Sequence, residues 1–334
     1  MTVAVVILNW NGLDLLQKFL PTVVKYSPNA HIYVADNNST DASEQYVTSN
    51  FPEVTWIQNG ANLGYAGGYQ KALTKVHEDI YILLNSDIEV TNNWITPHIE
   101  AFKNNDKVVA TQPKIKDYNR KEYFEYAGAA GGFIDKYGFP YCRGRIFETI
   151  EKDMGQYDNS CPIFWASGAC LIVKREAYWA AGGLDPDFFA HQEEIDLCWR
   201  LQLNNGEIYS IPKSTVYHIG GATLHKSSPQ KTFYNFRNSL FMLYKNLPKK
   251  EVFPIIFTRL CLDGIAGIRF IFQAKFLHCW AIVRAHFSFY KHLSELKPKR
   301  KQIQPRPIHR NKLLIIKEYF LKGRNTYKLL QKTV

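Results

Sequence analysis

Three carboxylates within four residues are the most concentrated chemical feature of the sequence: Glu193, Glu194 and Asp196. They open a segment with helical spacing, residues 195–203, and one of the two glutamates could act as a general base toward an acceptor hydroxyl. Acidic residues in a first helical turn also stabilise the helix dipole, so a structural role is the alternative. Asp196 and Arg200 are four residues apart, and we expect them to pair on the helix face.

A second candidate feature, Asn85-Ser86-Asp87, follows the apolar run at residues 79–84. A carboxylate at the end of a buried strand can hold a divalent cation, because Mg²⁺ takes one or two protein carboxylates together with phosphate oxygens. Such a cation would neutralise a diphosphate leaving group. The alternative is a polar turn that caps a helix.

His218 and a glycine-rich segment are two weaker candidates. His218 leaves a predicted edge strand at residues 216–217 and precedes two glycines, and a neutral imidazole is a common metal ligand. A lone histidine can equally be structural. The segment 62–68 (NLGYAGG) opens a predicted helix through glycines, which allow close approach of either a ligand or a neighbouring strand.

Alternating strands and helices position these residues. Buried strands are predicted at residues 3–8, 30–35, 54–57, 79–84, 108–111, 170–173 and 208–211, and helices at 13–26, 65–77, 93–103 and 195–203. This alternation favours an α/β fold with a mostly parallel, doubly wound sheet. Ligands bind such sheets at the carboxyl ends of the strands, where Asn9, Asp36 and Asn85 are expected. Residues 118–160 lack periodicity and predict loops and hairpins.

Composition favours a packed globular protein, because 46% of the 334 residues are hydrophobic and 14% are aromatic. The six cysteines lack the paired spacing of zinc or iron–sulfur sites, so reduced thiols are expected. The N-terminus lacks the basic start of a signal peptide, which predicts a cytosolic location.

Charge is distributed unevenly along the chain. The segment from Lys226 to the end carries 23 Lys and Arg against 4 Asp and Glu, whereas the preceding residues carry 18 against 26. A basic tail on an acidic body predicts an anionic partner, either nucleic acid or a membrane. We find no nucleic-acid-binding module or aromatic stacking platform, which favours the membrane.

The basic tail contains an apolar region at residues 252–293. Charges interrupt every run that approaches the roughly 18–20 residues needed to span a bilayer. On a helical wheel, five of its six charges fall within one third of the circumference, which predicts amphipathic helices with a basic face suited to a membrane interface. Packing against the rest of the protein is the alternative. Pro254, Gly264 and Gly267 predict two or three shorter helices, and residues 298–307 predict a linker.

Seven segments, taken in order, resemble glycosyltransferase family 2, a family with the GT-A fold: ILNWNG, VADNNSTD, NLGYAGG, LLNSD, FWASGACLIVKREA, GGLDPDFFAHQEEIDLCWR and YHIGGATL. They run from Val3 to about Asn238 and resemble in particular its rhamnosyltransferase-like bacterial branch. The resemblance places a GT-A catalytic domain at residues 1–240. Residues 241–334 are then a basic amphipathic helical extension, which we expect to associate with a membrane.

The resemblance implies donor-binding roles for eight residues: Asn9, Asp36, Asn38, Asn62, Gly64, Gly67, Asn85 and Gly168. Asp36 would contact the base or ribose of the donor. Residues 62–67 would line the nucleotide pocket and admit the ribose-phosphate, and Gly168 would lie under the sugar.

The resemblance also implies a metal centre and a catalytic base. Asp87 would be the metal-binding carboxylate of a D-x-D element, in which Asn85 stands where the family has its first Asp. His218 would complete the coordination of Mg²⁺ or Mn²⁺. Glu194 matches the base position, but this chain has Glu-Glu where Glu-Asp is usual, so Glu193 stays an alternative. The implied reaction is an inverting displacement, in which the base activates the acceptor and the metal stabilises the departing diphosphate.

The predicted function is therefore transfer of a sugar from a nucleotide-sugar donor in cell-surface polysaccharide synthesis. By resemblance, dTDP-rhamnose is the first candidate donor and a UDP-hexose the second. The acceptor is expected to be a glycan or a polyprenyl-linked saccharide, at the inner face of the cytoplasmic membrane. Two alternatives stay open: an inactive relative that binds sugar nucleotides or lipids, and a nucleic-acid-binding protein.

Overall fold

A computed structural model describes residues 1–220 and 228–331 of the chain. The strands are β1 Val3–Asn9, β2 His31–Asp36, β3 Thr55–Gln58, β4 Ile80–Asn85, β5 Ile88–Val90, β6 Val108–Asp117, β7 Gly132–Ile134, β8 Pro140–Cys142, β9 Arg145–Ile146, β10 Thr149–Ile150, β11 Cys161–Pro162, β12 Cys170–Lys174 and β13 Glu207–His218. The helices are α1 Leu13–Tyr26, α2 Ser43–Asn50, α3 Gly64–Ala72, α4 Thr96–Asn104, α5 Arg175–Ala180, α6 Glu193–Leu203, α7 Pro229–Asn246, α8 Lys249–Phe272, α9 Phe276–Lys291, α10 Leu293–Ile303 and α11 Tyr327–Gln331. The GATL part of the last motif, within residues 221–227, lies outside the described residues.

The first half of the main sheet is parallel, as the alternation of elements predicts. Strand β1 lies between β2 and β4 and runs parallel to both, and β3 extends the sheet beyond β2. The register aligns Asn9 with Asp36 and places Asn85 beside Leu8. The polar residues that follow each apolar run therefore lie together at one edge, and the predicted α/β fold is confirmed.

Alternate residues of β1 explain why both sheet faces are covered. Ala4 and Val6 belong to one hydrophobic cluster, whereas Val3, Val5 and Ile7 belong to a second cluster on the opposite face. Side chains alternate across a strand, so a continuous apolar run buries both faces beneath helices.

The second half of the sheet contains antiparallel pairs and one long strand. Strand β12 runs antiparallel between β4 and β6, and β13 runs parallel to β6. The prediction of two short strands around residues 208–217 was wrong in extent, because β13 is continuous over 12 residues with an irregularity between Ile211 and Thr215. Its end is not an edge either, since His218 pairs with Ile88 of β5 on one side and Asp117 of β6 on the other.

The hairpin region forms a small second sheet. Strands β7 to β10 pair antiparallel in sequence order. The end of the chain packs back on this sheet, where Tyr141 and Ile146 share a hydrophobic cluster with Ile315 and Leu330. Loops and hairpins were predicted here, but their cover by the C-terminal segment was not.

The C-terminal region is helical and packs closely on the rest of the chain. Helix α7 crosses the predicted boundary between residues 240 and 241. Two helices, α8 and α9, form the apolar region, as the expected number of shorter helices allows, but the predicted break positions were wrong. Pro254, Gly264 and Gly267 all lie inside the unbroken α8, and the break comes between Phe272 and Phe276. The linker predicted at residues 298–307 was wrong in its first half, because α10 continues through Pro298 to Ile303. Among the residues that the structure describes, we find no helix both long and apolar enough to cross a membrane.

The orientation of α8 differs from the amphipathic prediction. Arg259 and Asp263, which belong to the predicted solvent-facing polar stripe, are buried and form an ion pair at 3.1 Å. The Arg259 guanidinium also donates to the Ser239 hydroxyl and the Tyr137 carbonyl. Part of the predicted polar stripe of α8 thus faces the protein interior, and apolar side chains lie on the solvent-exposed face of the helix. All six cysteines are free thiols, as expected.

Candidate active site

The ends of β1 and β2 form a buried polar cluster. The Asn9 amide donates to the Asp36 carboxylate at 3.0 Å and to the Ser39 hydroxyl at 3.1 Å, and the Ser39 backbone N–H donates to Asp36 at 2.8 Å. Asn9 and Asp36 are both 1% exposed. The side-chain oxygen of Asn9, Oδ1, is buried without a hydrogen-bond partner. Asn38, also predicted for this site, is exposed with a φ of +66°.

The glycine-rich segment packs α3 against these strand ends. The Asn37 amide donates to the Gly64 carbonyl, and Asn59 donates to both the Asn37 side chain and the Gly68 carbonyl. A Cβ on Gly68 would lie 2.8 Å from the Asn37 amide. Gly68 therefore allows close packing of α3 against the strand ends. Close packing was one of the two roles considered for the glycines of this segment, and ligand contact was the other. Asn37 and Asn59 were missed, although Asn37 sits beside the predicted Asp36.

Three residues of this segment were predicted to bind the donor, and all three lie near a different loop. Asn62 is exposed and caps the Gly64 N–H at 3.0 Å. Gly64 has a φ of +68°, and a Cβ there would lie 2.5 Å from the Phe189 carbonyl. A Cβ on Gly67 would meet Leu63 at 2.9 Å. These residues border the loop that leads to α6, and their nucleotide contacts stay predictions.

Asp87 and His218 meet directly, although they are distant in sequence. His218 Nε2 lies 3.0 Å from the Asp87 carboxylate, and its Nδ1 lies 3.2 Å from Glu125. Each of the three residues is 4% exposed. Burial alone would lower the pKa of His218, but the negative charges of Glu125 and Asp87 raise it to about 10. Burial in turn would raise the pKa of Asp87, but His218 holds it below its ordinary value.

The Asp87–His218 pair has the chemistry of a partial metal site. A carboxylate oxygen and an imidazole nitrogen converge there, and the Asn85 amide lies 3.4 Å from His218 Nε2. Within the described residues, no group of three or more His, Cys, Asp and Glu could hold a metal by itself. The residues fit a cation that takes its remaining ligands from phosphate oxygens. Glu125 faces the other ring nitrogen, as a carboxylate that orients a metal-bound histidine does. Sequence reasoning missed it because it lies in an aperiodic segment.

The first turn of α6 carries one buried glutamate, Glu193, and one half-buried glutamate, Glu194. Glu193 is 4% exposed, and one carboxylate oxygen of each of Glu193 and Glu194 is buried without a hydrogen-bond partner. Burial raises the pKa of Glu194 to about 7 against the opposing effect of backbone N–H donors. Burial and then the charge of Glu194 raise the pKa of Glu193 well above its ordinary value. The pair therefore offers one carboxylate that can accept a proton near neutral pH.

Tyr65 lies in the electrostatic field of the glutamate pair and bonds to the segment beside Asn85. Its hydroxyl donates to the Gly168 carbonyl at 2.6 Å. Burial, and then the charges of nearby groups that include Glu193 and Glu194, raises the pKa of Tyr65 well above its ordinary value. The residue after Gly168, Ala169, accepts the Asn85 N–H at 3.0 Å. Hydrogen bonds therefore connect Tyr65 to Gly168, and the next residue, Ala169, to Asn85.

A strained loop presents these glutamates. Phe189, His191 and Gln192 all have positive φ, at 63°, 71° and 72°. Side chains in this region cost of order 1–3 kcal/mol each and cluster at functional sites. The buried Asn238 amide of α7 holds the loop by donating to the carbonyls of Phe188, Ala190 and His191 at 2.7–2.9 Å. The sequence predicts none of these conformations, because they depend on α7.

A buried ion network anchors α6 from behind. Arg200 pairs with Asp196 at 2.8 Å, which confirms the predicted helix-face pair. Lys245 of α7 bridges Asp196 at 2.8 Å and Asp185 at 2.7 Å, and Lys299 of α10 binds Asp185 at 2.6 Å. Burial would raise the pKa of Asp196, but Lys245 and Arg200 hold it below its ordinary value. Asp196 is therefore a structural anchor rather than a base.

The fold matches solved glycosyltransferase structures. The chain aligns with GalNAc-T7, crystallised with UDP, GalNAc and Mn²⁺, at a TM-score of 0.64 and 16% identity, over 97% of this chain and 58% of that one. It thus spans under two thirds of the GalNAc-T7 chain. It also aligns with a mannosyltransferase from Pyrobaculum calidifontis, solved with GDP-Man and Mn²⁺, at a TM-score of 0.51 and 14% identity, over 90% and 83% of the two chains. The architecture is that of a GT-A glycosyltransferase.

Sequence comparison identifies the family. The model for Glycosyl transferase family 2 matches residues 4–181. An N-acetylglucosaminyl-diphospho-decaprenol L-rhamnosyltransferase of Mycobacterium tuberculosis is 26% identical over 60% of this chain and 75% of its own length. Rhamnosyltransferase WbbL of Escherichia coli is 21% identical over 75% and 94%. The chain belongs to glycosyl transferase family 2, and it is a glycosyltransferase that uses nucleotide-sugar donors.

Proposed function

We propose that this enzyme transfers a sugar, with inversion, from a nucleotide-diphosphate donor to a hydroxyl of a glycan or polyprenyl-linked saccharide. Rhamnose from a dTDP donor is the first candidate, and a hexose from UDP is the second. The names of the relatives support this choice, because two are rhamnosyltransferases and one acts on a decaprenol-linked sugar. Cell-surface polysaccharide synthesis is the corresponding role.

The unpartnered carboxylate at the start of α6 is the observation that carries the proposal. Glu194 takes the proton of the acceptor hydroxyl while that oxygen bonds to the anomeric carbon. The bond between this carbon and the diphosphate oxygen breaks in the same displacement, so its electron pair leaves with the nucleotide. Burial, and then the charge of Glu194, raise the pKa of Glu193 above its ordinary value, so the protonated form of this neighbour is favoured. In that form Glu193 would donate a hydrogen bond to a sugar oxygen.

A divalent cation, Mg²⁺ or Mn²⁺, belongs to the proposal. Asp87 and His218 would hold it, with Asn85 beside them and Glu125 orienting the imidazole. When bound, such a cation supplies positive charge to the departing diphosphate. Two solved neighbours were crystallised with Mn²⁺, which supports the assignment.

Donor recognition is proposed for the strand-end cluster. The buried Asn9 and Asp36 provide polar atoms at the carboxyl edge of the sheet, where nucleotides bind in folds of this type. Asn38, Asn62, Gly64 and Gly67 are carried over by resemblance only. Gly168 keeps space open above Tyr65, because a Cβ there would lie 3.0 Å from the Tyr65 hydroxyl.

We further propose that residues 1–240 carry catalysis and that 241–334 carry contact with the inner face of the cytoplasmic membrane. A polyprenyl-linked acceptor is confined to that surface. Two features of the C-terminal region support the division: its excess of basic residues and the apolar outer face of α8.

Donor screening by thermal shift tests the assignment. The folded protein should melt at a higher temperature with its own nucleotide sugar, and more so with Mn²⁺, because a ligand of the native state stabilises it by mass action. Turnover of that donor should require Glu194 and Asp87. Glu176→Gln is the matched control, since Glu176 is an exposed carboxylate in the first turn of α5.

Two results would contradict the proposal. Equal turnover by wild type, Glu194→Gln and Asp87→Ala would remove both residues from the chemistry. Donor binding without any turnover would favour an inactive sugar-nucleotide-binding relative, for which the replacement of an Asp by Asn85 is the specific indication.

A further inference from the structure

The outer faces of α8 and α9 hold most of the exposed large apolar side chains. Eleven of the seventeen such residues in the described chain lie on these two helices. They are densest where α8 ends and α9 begins, and we name six of them the hairpin tip: Ile268, Ile271, Phe272, Phe276, Leu277 and Trp280. Phe272 is 86% exposed, and the other five are 47–68% exposed. A contiguous exposed apolar surface of this kind marks an interaction site.

The exposed charges around the hairpin tip are all positive. Between residues 252 and 292, all of which are described, the exposed charged side chains are Arg269, Lys275, Arg284 and Lys291. The one carboxylate of that segment, Asp263, is 1% exposed and is paired with Arg259 and His286. The next exposed carboxylate along the chain is Glu295, in α10. Between residues 252 and 292, an apolar surface with a basic rim and no exposed acid complements an anionic lipid headgroup layer.

The inner faces of the two helices hold the hairpin rigidly on the protein. Ala281 and Ala285 of α9 are buried against Phe233 of α7. On α8, the buried Arg259 bonds to the Ser239 hydroxyl at 2.8 Å. The apolar side chains therefore stay outside because the opposite faces are already occupied. No helix of the described chain is both long and apolar enough to cross a bilayer.

We propose that the hairpin tip inserts into an anionic membrane leaflet, with Arg269, Lys275, Arg284 and Lys291 at the level of the lipid phosphates. This inference rests on the proposed function in one respect, because a polyprenyl-linked acceptor is what places the enzyme at a membrane. The inference adds the surface that contacts the membrane and the class of lipid headgroup that this surface binds. A second copy of the chain is the competing occupant of the same face.

Vesicle flotation of the full-length protein tests the docking. Wild type should float with phosphatidylcholine vesicles that contain phosphatidylglycerol, and much less with phosphatidylcholine alone. Phe272→Ser with Phe276→Ser should lower the partition coefficient by roughly 100-fold, at about tenfold for each phenylalanine withdrawn from the leaflet. Arg269→Gln with Lys275→Gln should remove the preference for phosphatidylglycerol. Met154→Ser is the matched control, because Met154 is 77% exposed outside these helices.

Three outcomes would overturn the docking proposal. Wild type could fail to float with anionic vesicles, or the double serine variant could float as well as wild type. A lipid-free dimer that the double serine variant converts to monomer, without vesicle binding by either protein, would assign the face to a second copy.

Activity measured on a water-soluble saccharide acceptor separates this inference from the proposed function. The double serine variant should keep wild-type turnover there, which also shows that it is folded. Failure of Glu194→Gln to reduce turnover would refute the proposed base while leaving vesicle binding intact.

Discussion

Acidification from pH 8 to pH 6 should switch off the enzyme by protonating Glu194. Burial raises the pKa of this carboxyl to about 7. For one group of that pKa, the deprotonated fraction is about 91% at pH 8 and about 9% at pH 6, so kcat/KM should fall roughly tenfold. The rate falls, rather than rises, on acidification because a general base works only in its deprotonated form. An ordinary exposed glutamate, with a pKa near 4.3, would leave the rate flat over this range.

The assay is the initial rate of transfer at low donor concentration, with saturating Mn²⁺ and constant ionic strength, from pH 5.5 to 8.5. Glu194→Gln should lose about 10²–10⁴-fold in rate together with the acidic limb of the profile. Glu193→Gln should keep an acidic limb, because Glu194 is still present to accept the proton, but the midpoint should move, because the two neighbouring carboxyls interact. A flat wild-type profile would refute the reasoning. Loss of the acidic limb in Glu193→Gln alone would move the base to Glu193.

Three further predictions concern the surroundings of the site. Glu125→Gln should weaken Mn²⁺ binding in the presence of nucleotide diphosphate by about 10–100-fold, measured by calorimetry, because the imidazole loses its orienting carboxylate; unchanged affinity would contradict this role. Lys245→Met should lower the free energy of unfolding by about 3 kcal/mol in urea titrations, because it removes one ion-pair partner of the buried Asp196. An unchanged free energy of unfolding would show that Arg200 alone is enough to neutralise Asp196. Gly64→Ala should cost about 1–3 kcal/mol in the same assay, because of its positive φ, and an unaffected midpoint would argue against strain.

The parallel half of the fold was predictable because short, local sequence patterns determine its strands. Each apolar run ends in a polar residue, and parallel strands bring those ends to one edge without any further contact. Asn9 and Asp36 therefore lie together, as the register of β1 and β2 requires. The pairing of Asp87 with His218 was predicted only through family resemblance, because it depends on β13 adding to β5 late in the chain.

The errors have tertiary causes. Whether a charged residue faces water depends on partners elsewhere in the chain, and Arg259 finds Ser239 and Tyr137 on the inner side of α8. The Lys, Arg and Pro composition of residues 298–307 resembles a linker. Lys299 nevertheless lies in a helix, where it binds Asp185. Glu125 and Asn238 gave no local signal, because each acts on a residue that is distant in sequence.

The ion network behind α6 has a consequence for dissecting the protein. Lys245, Asn246 and Lys299 all come from beyond residue 240, and their partners Asp185 and Asp196 sit under the catalytic loop. Shortening the gene to residues 1–240 would leave both carboxylates in a dry interior with fewer counter-ions, and the end of α7 would be missing. The segment proposed to touch lipid and the segment proposed to carry catalysis therefore depend on the same buried ion network, so a trimmed catalytic fragment should be sought by redesigning this network rather than by deletion.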